Sequence, residues 1–481
     1  MAATITAKLA LVGLLLMYAG GASATPSPSS HRSSVDTHAV PAIVDDLQHR
    51  TFDFFAERAN PENGLIPDRW PRKSFSSIAA VGFGLTSYGV GVERGWMTRQ
   101  DAARRTLLTL RFFDRAKQGD DVHGVSGNHG FFYHFLEMED GTRSAMCELS
   151  SVDTTWLLAG VLFAQSYYDR DTATEREIRQ LAERIYRRVD WSWMQVRKPL
   201  ISMGWKPESG FIRSDWEGYN EALMTYVLAL ASPTHPVQRD AYDAWAKTYN
   251  VSWGEFQGQT YLSFPPLFGH QFSHVWVDFR GIRDDWARES GIDYFENSRR
   301  AVLAHRAYAI ANPMGWRGYG ADVWGLTPSD GPADIALTID GVKRQFHTYT
   351  ARGVGREYSL DDGTIAPTAA AGSMPFAPEV VIPAIEAMHA RYGKAIYGRY
   401  GFFDAFNPTL TDTSVKLQHG HIVDGIWVDG DYLGLDQGPI VLMIENHRSG
   451  FIWKVMRRNP HIIRGLKRAG FSGGWLTGSK R

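Results

Sequence analysis

The chain has 481 residues and a mass of 53.9 kDa, with 44% apolar and 21% charged side chains, which excludes both a disordered polypeptide and a bundle of membrane spans. Fifty-one basic against 52 acidic residues leave a net charge of -1, and that balance excludes an extended nucleic-acid footprint. A single cysteine, Cys147, excludes an internal disulfide framework and a paired-thiol zinc or redox site. The 16 Trp, 20 Tyr and 25 Phe call for either a large aromatic core or a groove that stacks on flat, weakly charged ligands such as sugars.

Residues 1–24 read as a secretory signal: Lys8 supplies the positive start, Leu9 to Ala19 the apolar run, and Ala22-Ser23-Ala24 the small-residue cleavage pattern. The apolar run is short of the roughly 20 residues needed to span a bilayer. The expectation is an exported protein, periplasmic or secreted, with no membrane association after cleavage. Residues 25–40 are rich in Ser, Pro, Thr and His and read as a flexible leader. No linker interrupts the remainder of the chain, so 41–475 is expected to be a single domain, acting as a monomer.

That body reads as eleven helices joined by long loops rich in Gly, Trp and Pro. The segments lie near 43–57, 75–92, 173–195, 219–231, 237–249, 296–311, 377–392, 437–447 and 460–468. Two further helices start at capping boxes, Thr98 with Asp101 and Ser150 with Asp153. From Ser150 the stripe Val152, Trp156, Ala159, Gly160, Phe163, Tyr167 keeps helical spacing. Few runs alternate with period two, and no repeat of 20 to 50 residues is present. The predicted class is all-α, a toroid of helices with long loops around a central cavity.

The segment 219–231 is apolar on both faces and must be buried, yet it carries Glu221 in its predicted first turn. A carboxyl group there is paired, or is protonated and poised for chemistry. Asp215, Glu217 and Glu221 stand together with Trp216 and Tyr219, and helix capping explains the first two acids equally well. Glycoside hydrolysis needs two carboxyl groups, one protonated to serve the leaving oxygen and one ionised to activate water or attack carbon. Asp404 lies between aromatics. Asp436 precedes a helix and reads as its N-cap, Glu445 as a buried structural acid, Asp153 as a dipole partner, and Glu148 as either cavity-lining or solvated. His270 and His274 stand four apart, but no Glu accompanies them, so hydrogen bonding is favoured over a metal. The glycines at 318–320 and 353–355 lack a dinucleotide fingerprint, and no cofactor is implied. Trp205, Trp216, Trp316 and Trp324 sit in turn-rich contexts where rings can stack on sugar faces. Glu148, Glu217, Tyr219, His270 and Gln271 complete the expected substrate contacts.

The stretches Gly130–Phe135, Glu148–Thr154, Gly218–Ala222, Leu267–His274, Trp276–Arg280, Asp362–Pro367 and Leu442–Asn446 resemble the glucoamylase-like domain of glycoside hydrolase family 144, the bacterial β-1,2-glucanases. The resemblance runs over roughly 41–475. It implies an (α/α)6 toroid, an inverting mechanism without cofactor or metal, and linear β-1,2-glucan cut to short sophoro-oligosaccharides. It makes Glu221 the acid, acting directly or through a substrate hydroxyl, and Asp404 the base. Two alternatives stand beside an endo-acting enzyme: an exo-acting one that releases sophorose from a chain end, and a periplasmic glycan-binding protein without catalysis.

Overall fold

The computed structural model describes residues 38–478; the signal and most of the leader lie outside the described residues. Fifteen helices follow in chain order. They are α1 (Ala42–Arg58), α2 (Ile78–Arg94), α3 (Arg99–Arg115), α4 (Ser151–Tyr167), α5 (Ala173–Arg188), α6 (Leu223–Ala231), α7 (Arg239–Lys247), α8 (Phe268–Trp276), α9 (Asp285–Ser290), α10 (Tyr294–Ala311), α11 (Pro367–Ala371), α12 (Pro378–Ile396), α13 (Gly434–Ser449), α14 (Phe451–Met456) and α15 (Pro460–Arg468). All eleven predicted helices are present. Those at 98 and 150 start as predicted, with Thr98 and Ser150 accepting bonds from the N–H groups of Asp101 and Asp153. The sequence reading missed α8, α9, α11 and α14, all six to nine residues long except the five-residue α11.

Burial sorts these helices into two rings. All nine residues of α6 and all five of α11 are buried, as are 14 of 17 in α2 and in α4. Helices α8 and α13 are nearly as enclosed. A helix apolar all round must be surrounded, whereas α1, α3, α5, α7, α10 and α12 bury one side only. The two kinds alternate along the chain, an outer helix preceding each inner one.

The inner six close on themselves. A Cβ on Gly160 would lie 2.2 Å from the Gly82 carbonyl oxygen, so only glycine lets α2 and α4 cross there. Thr155 of α4 donates to Thr225 of α6 at 3.0 Å. The Ser273 hydroxyl of α8 accepts from the Met224 amide of α6 at 3.2 Å. Gln271 of α8 donates to the Ala369 carbonyl of α11 at 2.8 Å, and Thr368 of α11 to the Asp436 carbonyl of α13 at 3.0 Å. Gly438 then seats α13 on the Phe83 ring of α2, where a Cβ would come within 2.3 Å. This is the (α/α)6 toroid expected from the sequence.

The strands are short and serve the loops at one end of this barrel. Arg69–Trp70 pairs antiparallel with Tyr432–Leu433, Ser76–Ser77 with Phe135–Leu136, and Leu149–Ser150 with Gly204–Lys206. Each pairing ties a loop to the start of an inner helix.

Candidate active site

The N-terminal ends of five inner helices open onto one cavity of about 460 Å³. Ser77 caps α2 there, and Val152, Asp153 and Trp156 come from the first turns of α4. Glu221 precedes α6, Phe268 and Phe272 begin α8, and Leu435 and Asp436 begin α13. The paired loops add Asp68, Arg69, Phe75, His134 and Tyr349.

Glu221 lies two residues before α6 rather than in its first turn, because that helix begins only at Leu223. Its carbonyl accepts from the Ser273 hydroxyl at 3.1 Å, which fixes the backbone, while its Oε2 has no partner. Trp156, Phe268 and Phe272 in the same wall leave a charge there poorly solvated. Burial pushes this carboxyl up to about 7, and nearby Asp153 adds to the rise. The group is therefore an acid that holds its proton near neutrality.

Three further acids line the cavity, Asp68, Asp153 and Asp436, and of these Asp436 is neither paired with a cation nor capping its helix. It is not the N-cap that its sequence setting suggests: α13 starts earlier, its N-cap position is Leu433, and no side chain caps it. Asp436 thus falls in the first turn with its carboxyl turned to the cavity, and its Oδ2 has no partner outside the acid cluster. Asp404 is buried behind it and hydrogen-bonded to it, and does not line the cavity. Asp404 also accepts the Asp330 amide at 2.7 Å. Two carboxyls this close cannot both ionise, so they share a proton. Burial pushes Asp436 up to about 7, and burial together with the Asp436 charge pushes Asp404 well above the usual carboxylate range.

A third group sits on the α4 side. His134 reaches Glu148 at 2.9 Å with Nδ1 and Asp153 at 3.5 Å with Nε2, and stacks on Phe135 at 3.8 Å. Burial works against its charge, but Asp153 and Glu148 prevail and hold the imidazole at about 9. Glu148, despite burial, is held down at about 2 by that imidazolium. Glu148 therefore acts on the cavity through His134, and Asp153, read from the sequence as a helix-end acid, lines it directly.

Behind Asp404 lie Asp330, Asp429 and Asp431. They bring one oxygen each within 4.8 Å of one another, the single group of three potential metal ligands among the described residues. Arg69 binds Asp330 at 2.5 Å, and Arg72 reaches Asp330 at 3.1 Å and Asp431 at 2.7 Å. Two guanidinium groups thus already meet that charge, a donor set better suited to holding Arg69 against the cavity than to a cation.

The remaining sequence candidates are dispersed. Glu217 and Tyr219 line a neighbouring hollow. Trp216 is buried and donates to Ser151 at 2.9 Å, and Trp205 is half-buried beside Trp193. Gln271 is buried and spans to α11. His270 and His274 lie inside the core, where burial keeps both rings neutral, His274 at about 3. Trp316 and Trp324 are core residues, not exposed platforms. A glycine elsewhere in the chain makes the room for Trp316: a Cβ on Gly363 would strike its ring at 2.5 Å. Asp68, Arg69, His134 and Tyr349 escaped the sequence reading because no local pattern marks them.

The family model described as "Putative glucoamylase" matches residues 213–460, just over half of the chain. A Bacteroides uniformis protein solved under the same description is 30% identical, with a TM-score of 0.77 over 90% of this chain and 98% of its own. The endo-β-1,2-glucanase of Chitinophaga pinensis, solved with sophorotriose and glucose, is 29% identical, with a TM-score of 0.76 over 91% of this chain and 100% of its own. An exo β-1,2-glucooligosaccharide sophorohydrolase (non-reducing end) of Parabacteroides distasonis is 28% identical over 455 residues, 89% of this chain. The chain spans 57% of that relative's length. The chain belongs to this glucoamylase-like family, that of glycoside hydrolase family 144.

Proposed function

We propose that the protein hydrolyses β-1,2-glucan, inverting the configuration at the cleaved carbon. One observation carries this reading: a protonated Glu221 and a proton-sharing pair headed by Asp436 face the same apolar-walled cavity. Glu221 gives its proton to the glycosidic oxygen as the bond to the anomeric carbon breaks. The Asp436–Asp404 pair, carrying one negative charge, takes a proton from a water that bonds to that carbon from the other face. Glu221 ends ionised and the pair fully protonated, and exchange with solvent resets both. The Chitinophaga and Parabacteroides relatives support the β-1,2 linkage by their own substrates. A purely glycan-binding role is disfavoured by the second acid, which binding does not need.

Incubation with linear β-1,2-glucan, laminarin and starch, with products sized over time, tests the reading. Only the first should be shortened, to sophoro-oligosaccharides. Degradation of laminarin or starch at a comparable rate would remove the linkage assignment.

The shifted acidities give a second expectation. Glu221 works only while protonated, so activity falls as pH rises past about 7. The pair works only after losing its first proton, so activity also falls as pH drops below about 7. A plot of kcat/KM against pH should be a narrow bell centred near neutrality. A plateau extending two units or more to the alkaline side would show that no protonated acid of this kind is needed.

A further inference from the structure

The cavity opens among the starts of the inner helices, and the last stretch of the chain closes the other end of the barrel. The final carbonyls of a helix have no partner within it. Here side chains from α14 and α15 supply partners. Trp453 donates to the His274 carbonyl of α8 at 2.7 Å, and Arg464 and Arg468 donate to those of Ala231 and Leu230 of α6, each at 2.8 Å. Helices α14 and α15 thus form a floor under the toroid.

The composition of this floor is one-sided. After Glu445 the chain carries nine Lys or Arg and no Asp or Glu, in a molecule whose net charge is -1. Acids from other segments do not balance them. Asp169 lies between Arg99 at 3.2 Å and Arg458 at 3.5 Å, Asp278 between Arg280 and Arg457, and Asp285 between Arg239 and Arg288. Arg99 and Arg239 have a second acid each, Glu175 and Asp243, and the other four guanidinium groups have none among the described residues. Lys454 and Arg283 are exposed and meet no carboxylate there. Arg283 belongs to the same face, because its backbone pairs with Ser472 just beyond α15. A partly exposed ring stands among these charges: the Trp475 indole donates to the Asp278 carbonyl at 2.7 Å, and the Arg457 guanidinium lies over it at 5.6 Å. None of these side chains lines the active-site cavity, so the floor is free while substrate is bound.

We propose that this floor docks on an anionic lipid bilayer, with its Lys and Arg side chains meeting headgroup phosphates and Trp475 settling at the water boundary, so that the active-site cavity faces away from the membrane. A phosphate-bearing polymer offers the same charges, but the interfacial Trp and the export signal expected at 1–24 favour a bilayer. No helix among the described residues is long and apolar enough to cross a membrane, so the contact is one of charge at the surface. The expectation of no membrane association was drawn from apolar content and did not weigh such a contact.

The test uses the mature chain, 25–481, because the apolar run of the signal would enter vesicles by itself. Vesicles of phosphatidylcholine alone are compared with vesicles containing about one-third phosphatidylglycerol. The protein should sediment with the second kind only, and about 1 M salt should release it. Lys454→Glu combined with Arg458→Glu should lower the partition coefficient by more than about tenfold. Lys343→Glu combined with Lys416→Glu makes the same change in net charge on exposed side chains of other segments, and should bind as wild type does. Both double variants should keep the wild-type melting temperature and the wild-type rate on a short soluble β-1,2-glucan. Equal binding to the two kinds of vesicle, binding to neither, or equal losses in the two double variants would overturn the proposal. Retention on double-stranded DNA at a salt concentration that releases the protein from the anionic vesicles would also overturn it, in favour of a polymeric partner. None of these outcomes bears on hydrolysis, which the soluble substrate reports separately.

Discussion

Glu221→Gln should lower kcat on linear β-1,2-glucan by about a thousandfold or more, the upper part of the range for a positioned proton donor. Glutamine has the same shape and no charge, so it suits the apolar wall of Trp156, Phe268 and Phe272 as well as a protonated glutamic acid does. The Ser273 bond is made to the backbone carbonyl of residue 221 and survives the change. The melting temperature should therefore stay within a few degrees of wild type, while KM changes little. An amide cannot deliver a proton to a departing sugar oxygen, and kcat bears the whole loss. The alkaline limb of the pH profile should disappear from the residual activity, since the group that produced it no longer titrates. Retention of a tenth of the wild-type rate would remove Glu221 from the acid's role.

The second large effect separates two neighbouring acids. Asp436→Asn should also cost about a thousandfold in kcat, because it removes the carboxylate that faces the cavity. Asp404→Asn should cost far less, about tenfold, because Asp404 acts through Asp436. Its asparagine oxygen can still accept the Asp330 amide, and its NH2 can donate to Asp436. The amide is a weaker donor than the shared carboxyl proton, so ionised Asp436 is stabilised less and the acid limb of the profile should move to higher pH. Equal losses in both variants would return the base role to Asp404, where the family resemblance placed it, and an acid limb unmoved in Asp404→Asn would show that Asp404 does not act on the ionisation of Asp436. The shift of the limb distinguishes a positioning role from simple destabilisation, which would lower the rate without moving it.

The helices were readable because their apolar stripes and caps are local. Thr98, Ser150 and the all-apolar run of α6 mark their own ends within a few residues. Helix α8 was not, since Pro265 and Pro266 precede it and Gly269 opens it, signals that ordinarily mark a loop. The site divides the same way. Glu221 was found because an acid in an all-buried segment is anomalous in the sequence itself. Asp153 and Asp436 carry the same signature, an acid at the start of a buried helix, but macrodipole pairing accounts for it equally well, and only the cavity decides. Arg69 and Asp68 enter through the pairing of Arg69 with Leu433, and His134 through that of Ser77 with Phe135. Contacts between strands of two residues, so far apart in the chain, leave no trace in local composition.

The ring of inner helices has an electrical consequence. With their starts gathered around one space, their peptide dipoles converge there and set a positive potential, each helix end equivalent to roughly half a unit charge. Sugar cleavage builds positive charge on the anomeric carbon, so the scaffold alone would oppose the reaction it frames. The single negative charge on the Asp436–Asp404 pair offsets that bias. It prepares the space for a cation that exists only for the instant of bond breaking.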